Sequence, residues 1–277
     1  MTRHRNPAFV ALVYVVMTIV ALSIAAPVIW MIYSSFKTNN AVLSNTFSLP
    51  TSLYLGNFAD LFSSGGNMLT WLTNSVVITV LSVIGLVVVS SLAAYGFATF
   101  DFRGRELFFL FMLLGLMIPS QALIIAGFQW ISILHLLNAY SGLIVTYLGW
   151  SSFGILVLRN FFQSVPKELT EAARLDGANH WQVFTRIMLP LARPSISTVV
   201  ILNFMWIWND FLYPLIYTSD EDKYTVAVGV LQFQSRAGVQ WGTQLAALSI
   251  AAAVPLVVFL VFQRQFIRGL MEGAIKS

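Results

Sequence analysis

Six separate stretches of this chain are each long and apolar enough to cross a lipid bilayer, and that limits the fold more than any other feature. They cover roughly residues 9–33, 73–98, 107–131, 141–160, 194–218 and 243–263. A helix needs about 20 consecutive apolar residues to span the hydrocarbon layer, where every backbone polar group must be paired internally. Of the 277 residues, 58% are hydrophobic and 9% charged, with a mean hydropathy of +0.79. A soluble domain carries about 25% charged residues, so much of this surface must face lipid. The expected fold is an all-α integral membrane protein of six transmembrane helices, a single transmembrane domain over 1–277. The apolar part of the first stretch, Phe9–Tyr33, exceeds the roughly 7–15 residues of a signal-peptide core. It runs into "WMIYSSFK" with no small-residue cleavage site, so it reads as a retained anchor. Pro119 and Pro214 fall inside spans, and the third span is the one expected to kink.

Lysine and arginine orient the spans. With the N-terminus inside, twelve of the fifteen fall in inside segments: Arg3, Arg5, Arg103, Arg105, Arg159, Lys167, Arg174, Arg186, Arg193, Arg264, Arg268 and Lys276. Only Lys37, Lys223 and Arg236 fall outside. Short cytoplasmic loops carry the positive excess, which puts both termini in the cytoplasm of a multi-pass membrane protein. The same positions account for the basic composition without nucleic acid. Trp30, Trp71, Trp130, Tyr140, Tyr217 and Trp241 fall near the outer boundary, as in an interfacial aromatic belt. In the first outside loop, "NFADLF" reads as a short helix capped by Asn57. There is no Cys, and His4, His135 and His180 are far apart. Disulfide or thiolate chemistry is excluded and no metal site is expected.

Between spans four and five lies a charged cytoplasmic loop, 161–193. Ser164 reads as an N-cap with Pro166 in the first turn. Asp176-Gly177 is a turn signal, since Gly accepts positive φ without steric cost. Asn179 then caps a second helix, with Gln182 placed for a capping box. Trp181, Phe184, Ile187 and Met188 recur at helical spacing, and Pro190 and Pro194 end that helix. The expected form is helix–turn–helix: small Ala172, Ala173 and Ala178 at a shallow bend, Glu171 and Asp176 marking it, Trp181 and Phe184 forming an apolar face. Two readings fit these residues: an amphipathic linker tucked under the spans, or a docking element for a cytoplasmic partner.

Glu171-Ala172-Ala173, three residues, Gly177, nine residues, Ile187, one residue and Leu189-Pro190 resemble the EAA signature of the membrane permeases of binding-protein-dependent ABC importers. "PKELTEAARLDGA", "RIMLPLARP", "WNDFLYPL" and "RQFIRGLMEGAIK" are similar to the carbohydrate-uptake branch and its smaller maltose-type permease, and the resemblance covers essentially the whole chain. It implies an ATP-driven importer of a sugar, polyol or oligosaccharide working by alternating access. Glu171, Ala172, Ala173, Asp176, Gly177, Ala178, Trp181 and Phe184 would then form the coupling region against an ATPase. The implied partners are a second homologous permease, two cytoplasmic ATP-binding subunits and an extracytoplasmic solute-binding protein. The chain has no G-x-x-x-x-G-K-[ST] phosphate loop. It is therefore not read as an enzyme: no cofactor is expected in it, and ATP and Mg belong to the partner ATPases.

Span five carries Asn203, Trp206, Asn209 and Asp210. A charge at mid-bilayer costs about 2.5–3.5 kcal/mol on insertion scales, so such groups face protein or water. Asn203, Trp206 and Asp210 share one helical face at i, i+3 and i+7, and indole with amide and carboxylate suits a sugar. With Asn209 they are candidates for the translocation path. The other reading has Asp210 bracing a helix interface. Gln121, Gln129, Asn74 and Ser75 read as helix-packing or end residues, and "SSLAAYG" (90–96) as a close-packing stretch. An ion-gradient-driven secondary transporter is the alternative. It predicts repeated halves and several intramembrane carboxylates, whereas the spans hold one carboxylate and no repeat. A membrane-embedded enzyme would need a His/Asp/Glu cluster at span ends, and none is present.

Overall fold

The computed structural model describes the backbone of residues 7–63, 67–234 and 239–274 and the side chains of 8–63, 67–233 and 239–263. Arg3, Arg5, Arg236 and Lys276 of the charge pattern lie outside the described residues, as do the side chains of Arg264 and Arg268. The described backbone is helical, with no strand. In order come α1 (Pro7–Ser34), α2 (Asn39–Ser44), α3 (Gly56–Phe62), α4 (Met68–Thr99), α5 (Arg105–Met117), α6 (Ile124–Ile133), α7 (Tyr140–Leu148) and α8 (Ser152–Ser164). There follow α9 (Lys167–Leu175), α10 (His180–Val183), α11 (Leu189–Leu191), α12 (Arg193–Trp208), α13 (Leu212–Tyr217), α14 (Val226–Gly229) and α15 (Trp241–Ala274).

Four helical segments are long and apolar enough to span a bilayer: Ala8–Ser34, Met68–Thr99, Tyr140–Ser164 and Trp241–Gln263. Two helix pairs pass the same test only together: Arg105–Met117 with Ser120–Ile133, bent by 96°, and His180–Leu191 with Arg193–Trp208, bent by 74°. The third span therefore kinks where the sequence placed the break. Pro119 disfavours α geometry at the residue before it, and Ile118 is extended at φ −91°, ψ 118°. The fifth is interrupted too. α12 stops at Trp208 and helix resumes at Leu212, because Pro214 has no N–H to bond the Asp210 carbonyl four residues back.

The chain divides into two compact units, Met1–Met68 with Val230–Ala253 and Leu69–Gly229 with Val254–Ser277. In the first, polar side chains tie down the loop after α1. The buried Lys37 ammonium donates to the carbonyls of Asn45 (2.9 Å) and Thr46 (3.1 Å), and burial pushes its pKa below the ordinary lysine value. The Trp30 indole donates to Thr46 O at 2.9 Å. α3 begins at Gly56, with Leu55 at its N-cap position. Asn57 is thus not the cap expected for "NFADLF"; its amide instead donates to the carbonyls of Ser35 (2.7 Å) and Lys37 (2.8 Å).

In the second unit, one core cluster joins α4, α8 and α12 to the segment after α9: Leu86, Tyr95, Leu158, Phe162, Val183, Phe184, Met188 and Val199. Another gathers Ile78, Ile131, Leu143, Tyr147, Ile207, Tyr213 and Tyr217. Helices in lipid associate through close backbone approach rather than water exclusion. α4 and α8 meet that way: Ser90 donates to Ser151 O at 3.2 Å, and a Cβ at Gly154 would stand 2.5 Å from Ser90 Oγ. Within the "SSLAAYG" stretch the close packing is at Ser90, whereas Gly96 has no close neighbour among the described residues. Two residues expected in the aromatic belt are buried instead. Trp71 is 1% exposed and Tyr217 2% exposed, because the Trp71 indole is bonded to Glu221 O (2.9 Å) and Tyr217 packs with Tyr213. Asn74 and Ser75 likewise bond the 222–226 segment, through Asp222 O, Tyr224 O and Val226 N. Arg159 is buried as well. Its guanidinium lies 2.6 Å from Glu106 and 3.8 Å from the Phe109 ring centroid, so it joins α8 to α5.

Candidate functional site

Two places carry the residues singled out from the sequence. The first is the bend after α9. α9 has Glu168 in its first turn and Arg174 in its last, the order the helix dipole favours. Pro166, not Ser164, occupies the N-cap position. Ser164 still belongs to α8, and its hydroxyl donates to Phe161 O. The C-terminus closes as a Schellman motif: Ala178 N–H donates to Ala173 O (2.9 Å) and Gly177 N–H to Arg174 O (3.0 Å), with Gly177 at φ +84°. This satisfies carbonyls the helix end would leave orphaned, at a backbone angle suited to glycine. Asn179 opens the next helix with the expected capping box. Its Oδ1 accepts from Gln182 N–H at 2.9 Å and Gln182 Oε1 accepts from Asn179 N–H at 2.8 Å.

That second helix continues through a π-helical turn, Phe184–Met188, to Leu191, so Pro190 does not end it; the chain turns only at Ala192. Its inner face is deeply packed. Phe184 is 4% exposed and lies 5.0 Å from the Tyr95 ring, while Ala173 and Ala178 pack on the same cluster. Trp181 is 63% exposed and Leu175 90% exposed, beside exposed Glu171, Ala172, Asp176 and Gly177. Trp181 and Phe184 therefore do not share one apolar face: the rings touch at 5.5 Å, but one points out and the other in. Among the described residues nothing lies within 4 Å of a Cβ placed on Gly177, so the tip of the bend is open. The Arg174 guanidinium contacts the His180 ring across the bend, a pairing with no sequence signal because the two residues flank the turn.

The second place is a cavity of about 720 Å³ at the breaks of both interrupted helices. Trp206, Asn209 and Asp210 line it with Gln121, Trp150 and Phe153. The Tyr147 hydroxyl donates to Asp210 Oδ2 at 2.7 Å and Leu212 N–H to Oδ1 at 3.2 Å. The Tyr213 hydroxyl crosses to Ser120 O at 2.7 Å, so each break is clamped by a residue from another helix. Asn203 is not with them. It is fully buried, and its amide donates to Val199 O at 2.8 Å. Of the face expected for Asn203, Trp206 and Asp210, only Trp206 and Asp210 meet at the cavity; Asn203, in α12 like Trp206, is turned into the helix packing instead. Gln121 joins the lining. Tyr147, Trp150 and Phe153 carried no signal, since single aromatics in an apolar span look like core.

The family described as "Binding-protein-dependent transport system inner membrane component" matches residues 87–272, which include the bend and the cavity. The chain belongs to this family. The permease is 36% identical, over 96% of its own length and 88% of the relative's, to the probable ABC transporter permease protein YurM of Bacillus subtilis. It is 34% identical, with both chains covered in full, to the arabinooligosaccharides transport system permease protein AraQ of Halalkalibacterium halodurans. Its fold matches a bacterial ABC transporter involved in the import of the acidic polysaccharide alginate, with a TM-score of 0.83 at 22% identity over 96% of this permease and 99% of that chain. It is a multi-pass membrane protein and a transporter permease.

Proposed function

We propose that this permease forms half of the translocation pathway of an ATP-driven saccharide importer, with both termini in the cytoplasm and the Glu171–Pro190 segment docked on an ATPase subunit. A second permease would supply the other half of the pathway. Two ATPases would bring ATP and Mg, and an extracytoplasmic binding protein would deliver the sugar. Family membership and a saccharide-transporting relative support this reading. The observation that carries it is the bend: a tip exposed at Glu171, Leu175, Asp176 and Trp181 on a base buried through Val183, Phe184 and Met188. A push on the tip passes through Phe184 to Tyr95 on α4 and, in the same cluster, to Phe162 on α8. Cores are close-packed and transmit strain, so closure of the ATPases would rock these helices. The cavity at the breaks would then be exposed in turn to either side.

Reconstitution with the partner subunits tests this. Wild-type uptake should require ATP. Gly177→Val forces a β-branched residue into the left-handed region, at a cost of about 1–2 kcal/mol. It should cut ATP-driven uptake at least tenfold while membrane insertion persists. Normal uptake by this variant refutes the docking role, and uptake indifferent to ATP removes the importer reading.

A further inference from the structure

We propose that the cavity is a binding subsite for an uncharged sugar ring and that it rejects anionic sugars. This rests on the saccharide reading above and narrows it.

One wall is aromatic. Trp206 is 46% exposed and is braced edge-on by Phe153 at 5.4 Å. Trp150 is wedged between Tyr147 (4.9 Å) and Tyr213 (6.0 Å). A braced, half-exposed indole offers a flat apolar face to the C–H side of a sugar ring. The opposite chemistry is close by. Asn209's amide is held on Met205 O at 2.8 Å, leaving its carbonyl oxygen as the acceptor, and Gln121 and Asp210 add further hydroxyl partners. Apolar walls with a few placed polar groups, in a volume of about 300–1,000 Å³, are the usual form of a small-molecule site.

The charge of the lining selects among sugars. Asp210 contributes a carboxylate, and among the described residues no Lys, Arg or His lines the cavity. Sites for carboxylate or phosphate use Arg or Lys as counter-charge. A uronate or sugar phosphate here would set a second negative charge beside Asp210 at low dielectric, where repulsion is far stronger than in water. A neutral sugar hydroxyl instead donates to the same carboxylate. The fold is shared with an importer of an acidic polysaccharide, so this selectivity comes from side chains rather than from the helix arrangement.

The test is equilibrium dialysis of the detergent-purified complex of this permease with its partner permease and ATPases. The binding protein is omitted so that selectivity comes from the membrane subunits. Labelled maltotriose, arabinotriose and trigalacturonate are the probes. At least one neutral trisaccharide should bind saturably, and trigalacturonate should not bind over the same range. Trp206→Ala should weaken neutral binding at least tenfold, and Trp206→Phe, which keeps a ring, by less. Asp210→Asn should admit trigalacturonate, a gain that misfolding cannot mimic. The inference is overturned if no trisaccharide binds, if trigalacturonate binds the wild type as tightly as the neutral probes, or if Trp206→Ala binds normally. ATP-dependent uptake by the wild-type importer separates the two readings. If it persists in any of those cases, the subsite fails alone; if it is absent, both fail.

Discussion

The bend at Asp176–Asn179 and the break at Asn209–Phe211 both interrupt helices, but they are held differently. The backbone turn and capping bonds of the bend join residues within five positions of each other: Ala173 to Ala178, Arg174 to Gly177, Asn179 to Gln182. The break is clamped from afar. Tyr147 reaches Asp210 across 63 positions, and Tyr213 reaches Ser120 across 93. A locally closed bend keeps its shape when the surrounding helices move. A break held by other helices changes shape with them. That pairing suits a rigid contact for a motor and a cavity that opens and closes.

The largest expected effect separates the two faces of the bend. Phe184→Ala should lose about 3–5 kcal/mol of stability in a denaturant melt, because it empties a packed core site. Trp181→Ala should change stability by no more than about 0.5 kcal/mol while weakening ATPase association in a pull-down. Equal losses of stability would erase the distinction between base and tip. Tyr147→Phe should cost about 1–3 kcal/mol by removing a donor from a half-buried carboxylate. Adding Asp210→Asn should cost less than the sum of the single changes, and strict additivity in that cycle would show the clamp to be idle. Asn179→Ala should cost about 1 kcal/mol for one lost cap. Trigalacturonate exclusion should survive it, and a change there would mean that the bend and the cavity are not independently built.

Much of the bend was legible in the residues. Asp176-Gly177 and the Asn179/Gln182 pair are local signals, and local bonds made them come true. Ser164 misled because α8 runs on through it, and Pro190 because the helix that opens at His180 runs past it, through a π-helical turn, to Leu191. The split between Trp181 and Phe184 was not legible. Helical spacing places both near one face, and only contact with Tyr95 decides which ring turns inward. The kink at Pro119 was legible for a backbone reason. The membership of the cavity was not: Asn203 was expected in it and is core, while Trp150 and Phe153 were overlooked.

From its residues alone, this chain was committed to lipid, to helices, and to a capped charged bend between two spans. Bilayer length, backbone pairing and short-range caps act within one segment and need no neighbour. Which polar side chains meet around the cavity was decided only by the tertiary structure. Tyr147 lies in α7, Ser120 in the turn between α5 and α6, Asp210 in the break after α12 and Tyr213 in α13, and no periodicity within one helix specifies where another helix will place its hydroxyl.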